Sequence, residues 1–468
     1  MFFEQQSFAS ATRAAFSIRM LKYFFAFMML WQDSMVGHSP LQIQNFVAVP
    51  GLGAAELMTA LLFVVVLIER SMTLDFTIRR SYFNGPLLLL LVAFYVSWLM
   101  GCFMRQQYAP RLEAHEVFAW PLIFVVVNNA FRSEEDRVIL FKLLMLAVIP
   151  KAMEGVGNYF EEGGEEKFWG VLQLWRDGYL LALGSVSAML LAQYRGELFR
   201  KTKRTLLWSM PIVLSAFILS YRRTFMLATL FSAIVLAFTL PKEMRRRHIW
   251  IALAVIFGMI TFALVTNPIG IIARFYGIVA PQHEGSAYIR LMEWPNVIEN
   301  IRRHPFFGVP VGVQWTAYYR MPVSSVYTTL GTHDTYFYFQ LRAGIAGSVG
   351  FLWIMARLWK TAILNLRLAR NEDDELIGRV SVQMLVIYNF GCFFGLMYGD
   401  IMPVFLGVIF TAFQLQTRHI FGRFDLKPVS FLRSYRAREV VFVEPKDQLY
   451  NRAREAVLRL IDGRRVAA

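Results

Sequence analysis

A histidine followed by an aspartate stands at the start of an apolar run in the stretch GTHDTYFYFQLRAGIAG, residues 331–347. A neutral imidazole can accept a proton near pH 7. This suits His333 to general-base catalysis or, when protonated, to holding an anionic oxygen. The run predicts a helix with Asp334 in its first turn, where a carboxylate caps the backbone and interacts favourably with the helix dipole. Gly344 and Gly347 predict a close approach of this helix to another.

Two further places combine arginine with apolar sequence. In LSYRRTFMLATL, Arg222 and Arg223 occupy a short turn between two apolar runs. Such a pair either anchors the chain at an interface or binds a ligand. In SAYIRLMEW, Arg290 and Trp294 have i, i+4 spacing and share one face of a short predicted helix. A solvated helix without a ligand is the alternative for Arg290.

The composition indicates which elements must position these side chains. The 468 residues are 56% hydrophobic and 15% aromatic, which is too apolar for an ordinary water-soluble enzyme. The chain is therefore predicted to be an integral membrane protein. Its two cysteines, Cys102 and Cys392, both lie in apolar runs and suggest neither a disulfide framework nor a thiolate metal site.

Apolar windows long enough to cross a bilayer recur along almost the whole chain. They predict an all-α, polytopic fold with about twelve transmembrane helices. Their centres fall near Phe25, Leu62, Phe94, Phe124, Met145, Leu183, Val213, Ile234, Phe257, Gly347, Tyr388 and Gly407.

Positive charge concentrates in alternate loops and in the tail, which predicts a multi-pass protein with both termini in the cytoplasm. Attraction to anionic lipid and this topology account for much of the net charge of +15, so nucleic acid is not expected as a partner.

One predicted outer loop, residues 267–333 between helices 9 and 10, is long and mixed in composition, as functional loops are. Three regions follow: N-terminal helices 1–204, a region 205–417 that contains this loop, and a basic cytoplasmic tail 418–468.

The order of these motifs resembles one family. An arginine at a short outer turn is followed by R-x-x-x-W and HPFFGVPVG in a large outer loop, and then by H-D-x-Y with G-x-x-G beginning eleven residues after the histidine. This pattern, over roughly residues 205–355, resembles the O-antigen ligase and O-antigen polymerase superfamily of bacterial membrane glycosyltransferases. The first half of the chain is similar only in being polytopic.

The resemblance implies an enzyme of the bacterial inner membrane that needs neither metal nor cofactor. Such enzymes pass a glycan from an undecaprenyl diphosphate carrier to a hydroxyl acceptor on the periplasmic face. The donor is an undecaprenyl diphosphate-linked oligosaccharide, the acceptor a glycan or the lipid A core, and the lipid bilayer surrounds both. Ligation, polymerisation of O-antigen or exopolysaccharide repeat units, and transfer to a protein all remain open. A metal-dependent version would use EEGGEEK, residues 161–167, with Asp177.

The resemblance also assigns residues. Arg223 matches the helix-end arginine of the family, and Arg222 replaces the serine that usually precedes it. Arg290 matches the loop arginine directed at the diphosphate, and His333 matches the histidine. Asp334 stands where the family more often has asparagine or serine.

Physical chemistry supports the same assignment, because fixed guanidinium groups in a partly dry site stabilise the charge that grows on a departing diphosphate. The hypothesis is that Arg223, Arg290 and Arg222 bind the diphosphate. His333 then activates the acceptor hydroxyl or orients the phosphate, supported by Asp334 and Trp294.

A multi-span transporter or flippase of lipid-linked glycans is the alternative. A carrier of this kind is expected to show matching halves with charged or glycine-broken helices, and no such symmetry is visible in the sequence.

Overall fold

The computed structural model describes residues 2–31, 54–75, 78, 81–104, 122–161, 175–220, 223–266, 285–319, 332–394 and 401–421. One compact unit comprises Met1–Leu74 and Arg79–Lys427, and a second comprises Asp75–Ile78 and Pro428–Ala468. Only residues 75 and 78 of the second unit are described, so most of the predicted basic tail lies outside the described residues.

Within the described ranges the fold is all-helical, as predicted, with fourteen helices and no β-strand. We number them α1 (Phe2–Trp31), α2 (Ala54–Thr73), α3 (Asn84–Phe103), α4 (122–130), α5 (Glu134–Leu146), α6 (Val148–Glu161), α7 (Trp175–Gln193), α8 (Arg200–Leu219), α9 (Arg223–Thr239), α10 (Lys242–Thr266), α11 (Gly285–Arg303), α12 (Thr335–Arg367), α13 (Glu372–Phe394) and α14 (Ile401–Phe421).

All twelve predicted span centres fall in helices. By length and composition, three of the described helices could cross a membrane: Asn84–Phe103, Thr335–Arg367 and Glu372–Phe393. Two shorter apolar helices, Gly178–Gln193 and Thr224–Thr239, accompany them. The chain is thus a helical protein with several apolar candidate spans, and the count of twelve stays a prediction.

The predicted span around Met145 is divided into two helices, α5 and α6, at Ala147. Pro150 explains the break: a proline has no backbone N–H to donate to the carbonyl four residues earlier, here that of Leu146, and its ring collides with that carbonyl. An apolar window detects the hydrophobic stretch, but it does not register the interruption.

The two helices most important for the site, α3 and α12, pack antiparallel. Gly350 of α12 lies against the backbone of Leu90, where an added Cβ would be 3.0 Å from the Leu90 nitrogen. Further along, the hydroxyl of Ser97 donates to the carbonyl of Arg342. The close approach of α12 to another helix is therefore made at Gly350.

Several helix ends meet at one end of this bundle. Gly178, near the start of α7, leaves room for the ring of Phe225, near the start of α9. The ring of Tyr179 lies 6.2 Å from that of Tyr388, in the last two turns of α13. The ring of Tyr336, near the start of α12, lies 4.6 Å from that of Phe393, near the end of α13. The starts of α7, α9 and α12 and the end of α13 thus share one end, which we call the His333 end.

A buried charge network ties the helices together at the opposite end. Asp374, in the first turn of α13, accepts from Arg137 of α5 at 3.2 Å and from Gln416 of α14 at 3.0 Å. Removing one partner of a buried ion pair costs about 3–5 kcal/mol, because the other charge is left buried without compensation. The 23 residues of α13 separate it from the His333 end by roughly 33 Å at 1.5 Å per residue.

Candidate active site

The helix α11 presents polar side chains to the protein interior. Glu293, Asn296, Val297 and Asn300 are buried and follow i, i+3, i+4, i+7 spacing, which places them on one face. The two asparagines bind the segment that follows. Asn296 accepts from the Tyr319 backbone at 2.7 Å, and Asn300 accepts from and donates to the backbone of Thr316 at 3.1 and 2.7 Å. These bonds hold residues 316–319 along α11.

Glu293 binds the residue that the sequence singled out as a base. One carboxylate oxygen accepts from the His333 backbone N–H at 2.9 Å, and the other contacts the imidazole Nδ1 at 2.6 Å. Two bonds from one buried carboxylate fix both the backbone and the ring of His333. Because a carboxylate accepts, Nδ1 carries the hydrogen and the Nε2 lone pair is the free base. The His333 side chain is 37% exposed, so the imidazole is not sealed inside the protein.

Asp334 caps α12, as predicted. Its carboxylate accepts from the backbone N–H groups of Tyr336 at 2.9 Å and Phe337 at 3.1 Å. Burial raises the pKa of Asp334 from its ordinary 3.8 to about 6, although both backbone N–H groups act against the rise; the negative charge of Glu293 adds to it. The cap sets the direction of His333, its neighbour in the chain.

Trp294 and Arg290 lie on α11 beside Glu293. The Trp294 ring meets that of Phe337 edge to face, with centroids 6.3 Å apart, and so packs α11 against the start of α12. Arg290, which is half-buried, stands one turn before Glu293 on the helix. At i, i+3 spacing the two residues share a face. The helix predicted around Arg290 is present, but at 19 residues it is longer than the short helix expected.

After α11 the chain packs against a kink in α12. Gly344 adopts φ 59° and ψ −157°, a backbone conformation that residues with a Cβ rarely adopt, and this interrupts the helix. A Cβ at Gly344 would lie 2.0 Å from the Phe306 carbonyl oxygen. The Ile345 N–H donates to Pro305 at 3.0 Å, and Val309 N–H donates to Leu341 at 2.6 Å. The glycine predicted to pack two helices together therefore serves a loop instead.

The sequence that forms this site can be compared with known protein families. Residues 208–352 match the protein family described as O-antigen ligase. This part of the chain is therefore similar to O-antigen ligases. No curated protein shows significant similarity to the chain. The family match confirms the resemblance found in the sequence, and it supports a membrane enzyme that transfers glycans.

The O-antigen ligase match includes every predicted site residue, and the structure brings part of the set together. His333, Asp334, Arg290 and Trp294 lie at the junction of α11 and α12. Arg223 begins α9, whose start belongs to the His333 end, although its side chain is outside the described residues. Arg222 is outside them as well.

Glu293 is the site residue of this ligase-like domain that sequence reasoning missed. Its distance of 40 residues from His333 hides the pairing. Only the structure shows that Glu293 is buried on one face with Asn296, Val297 and Asn300, and acids are almost never fully buried unless they are paired.

In the part of the chain that the structure describes, no group of three His, Cys, Asp or Glu residues could hold a metal ion. Residues 162–167 of EEGGEEK and the side chain of Asp177, the residues of the metal-dependent alternative, lie outside that part.

Proposed function

We propose that this protein is a metal-independent glycosyltransferase of the bacterial inner membrane, with both termini in the cytoplasm and the His333 end facing the periplasm. It transfers a glycan from an undecaprenyl diphosphate carrier to a hydroxyl acceptor. The observation that carries the proposal is the bidentate binding of His333 by the buried carboxylate of Glu293. It creates an oriented base at an accessible edge, within a domain matched to O-antigen ligases.

His333 activates the acceptor in this mechanism. Its Nε2 takes the proton of the acceptor hydroxyl as the oxygen attacks the anomeric carbon of the donor glycan. The bond from that carbon to the diphosphate oxygen breaks, and undecaprenyl diphosphate leaves with the electron pair. The Glu293 carboxylate stabilises the imidazolium that forms, because its oxygen accepts from Nδ1–H. Water then removes the proton and restores the base.

Arg290 and Arg223, together with Arg222, bind the diphosphate. Negative charge grows on the leaving oxygen as the bond breaks, and a guanidinium is always charged and forms paired hydrogen bonds to phosphate oxygens. The supporting geometry is that Arg290 lies one turn from Glu293 and that α9 starts at the His333 end. The acceptor is a growing O-antigen or exopolysaccharide chain, or the lipid A core.

The test is a turnover assay with purified protein in EDTA. An undecaprenyl diphosphate-linked oligosaccharide and candidate acceptors are added, and release of undecaprenyl diphosphate is followed. We expect release with the unsubstituted protein and its loss in Arg290→Ala and His333→Ala. Arg302→Ala and His304→Ala are matched controls, because both residues are exposed and neither belongs to the proposed site. The controls should retain full turnover.

The product identifies the acceptor and tests the alternative function. A glycosylated lipid A core indicates a ligase, and a lengthened glycan indicates a polymerase. Turnover restored only by added divalent cations would overturn the metal-independent mechanism. Binding of the lipid-linked glycan without any covalent product would instead support a transporter or flippase.

A further inference from the structure

Two phenylalanines next to the site expose most of their apolar side chains, and contact of such surface with water is unfavourable. Phe306 and Phe307 follow α11 in the segment HPFFGVPVG, and they are 69% and 60% exposed. Residues 304–313, which we call the HPFF loop, are otherwise well ordered by hydrogen bonds. Large exposed aromatic patches of this kind mark contact surfaces for another molecule or for a membrane.

The position of the HPFF loop along α3 indicates what that molecule is. α3 has 20 residues and a mean hydropathy of 2.1, and its apolar sequence continues to Met104 before Arg105. Its length of about 30 Å matches the hydrocarbon core of a bilayer. The Val311 N–H donates to the hydroxyl of Ser97 at 3.0 Å. Ser97 lies six residues before the helix end at Phe103, so the contact is roughly 9 Å inside that end.

The contacts to α12 place the phenylalanines still deeper. Arg342 lies beside Ser97, and Gly350 lies beside Leu90. Gly344, which contacts the Phe306 backbone, therefore stands between these two levels. In a membrane crossed by α3 and α12, this level places Phe306 and Phe307 at the depth of the hydrocarbon core.

The exposed surface of α12 continues from the same point. Ile345 donates its backbone N–H to Pro305, directly beside Phe306. Ile345, Val349 and Leu352 are exposed and have the spacing of one helical face. On a helix long and apolar enough to span a membrane, such a face contacts lipid. The backbone bond from Ile345 to Pro305 thus brings the chain next to Phe306 and Phe307 to this face.

A non-helical segment can exist at this depth only when its backbone groups are satisfied by protein. Arg342, which is fully buried, donates to the carbonyls of Pro310 at 3.1 Å and Val313 at 2.6 Å. Ser97 accepts from Val311, and Leu341 accepts from Val309. These four backbone groups of the HPFF loop are thus satisfied by protein, as irregular backbone inside a bilayer requires.

We propose that the HPFF loop is a re-entrant loop, inserted into the membrane leaflet at the His333 end, and that Phe306 and Phe307 contact the acyl chains of that leaflet. The inserted edge is a lipid-contact surface separate from the proposed catalytic groups. It depends on α3 and α12 crossing the membrane, and it does not depend on the transferase chemistry.

Spin labels on the full-length protein in lipid nanodiscs test this proposal. Cys102→Ser removes the exposed cysteine, and Cys392 is buried. Phe306→Cys and Phe307→Cys are labelled in this background. Leu352→Cys is the lipid-facing control, and Arg302→Cys is the water-facing control, since the Arg302 side chain is 82% exposed.

The measurement is collision with oxygen, which concentrates in lipid, and with a nickel chelate, which stays in water. We expect the oxygen-to-nickel ratio at positions 306 and 307 to be at least that at 352, which lies nearer the far membrane surface, and to exceed that at 302 several-fold. A ratio at 306 and 307 equal to that at 302 overturns the proposal. Both outcomes are independent of turnover, so failure of the transferase mechanism would remain distinguishable.

A second measurement avoids a cysteine in the loop. Phe307 is replaced by the photo-crosslinker benzoylphenylalanine, which keeps an aromatic side chain, and Tyr319 is replaced in the same way as an exposed aromatic control on the segment along α11. We expect phospholipid adducts from position 307 and none from position 319. Crosslinks from 307 to a second protein copy, or adducts equal at both positions, would overturn the loop insertion.

Discussion

Replacing Glu293 by glutamine tests the site most directly. The side chain keeps its shape but has one accepting oxygen in place of two. Both groups that Glu293 binds, the His333 backbone N–H and Nδ1–H, are donors. One of them must therefore face the amide NH2 group. The ring can relieve this conflict only by moving its hydrogen to Nε2, and the lone pair needed for catalysis is then lost.

The size of the effect follows from the bond that is removed. A hydrogen bond to a charged group contributes about 1.5–3 kcal/mol, and the imidazolium exists only as the acceptor attacks. Since about 1.4 kcal/mol is a factor of ten in rate, kcat should fall roughly 10- to 150-fold. KM for the donor should be unchanged, because Glu293 does not contact the diphosphate in the proposed mechanism.

The assay is undecaprenyl diphosphate release at saturating donor and acceptor. Glu299→Gln is the matched control: it is the same substitution, on the same helix, at a surface residue paired with Arg303 at 2.8 Å. Exposed pairs contribute at most about 1 kcal/mol to stability, so this variant should keep full activity. If Glu293→Gln turns over as fast as Glu299→Gln while His333→Ala is inactive, Glu293 does not position the base.

Three further variants test the supporting structure through thermal unfolding in detergent. The pKa of Asp334 is raised to about 6, so its stabilising contribution is complete below the ordinary value of 3.8 and is lost as pH rises through 6. Asp334→Asn keeps the cap and should be more stable than the unsubstituted protein above pH 6, by up to roughly 3 kcal/mol. At acid pH it should be no more stable. Equal stability of the two proteins at all pH values would contradict the burial of a charged Asp334. Gly344→Ala should lower the free energy of unfolding by at least about 1–3 kcal/mol, through backbone strain and contact with Phe306. Gly258→Ala, in open space on a helix, should raise it by up to about 1 kcal/mol. Similar effects of the two substitutions would refute the kink. Arg342→Met should lose about 1–3 kcal/mol for each of the two carbonyls left without a donor, and an unchanged melting temperature would show that Arg342 does not anchor the HPFF loop.

Helix positions and the local role of Asp334 could be predicted because they depend on neighbours in the sequence. Apolar runs marked twelve of the fourteen described helices, and an acid before the run at Thr335 indicated the cap that the structure shows. The order of motifs over residues 205–355 indicated the family that matches residues 208–352. These signals need no knowledge of distant contacts.

The pairing of Glu293 with His333 and the kink at Gly344 depend on contacts between segments far apart in sequence. Gly344 was predicted to pack two helices, because a small residue at helical spacing is equally suited to a helix or to a loop as its neighbour. Only the structure, in which the Phe306 backbone lies against Gly344, shows that the neighbour is a loop. Likewise, a glutamate on a mixed helix is usually solvated, and its burial becomes evident only when α11 lies beside the start of α12.

The kinked helix α12 connects the lipid-contact loop to the base at a distance that suits the proposed donor. Arg342 lies about 9 Å inside the end of α3, and His333 precedes it by nine residues, or roughly 13 Å of helical rise. In the proposed membrane placement, the pair of Glu293 and His333 then lies about 4 Å beyond the hydrocarbon boundary, in a headgroup layer that is itself roughly 5–7 Å thick. A diphosphate on a membrane-embedded polyprenol lies in that same layer, because its charges remain hydrated while its tail stays in the hydrocarbon core. Insertion of the HPFF loop therefore sets the height of His333 relative to the scissile bond, so a lipid of different thickness should change kcat without any change in the site residues.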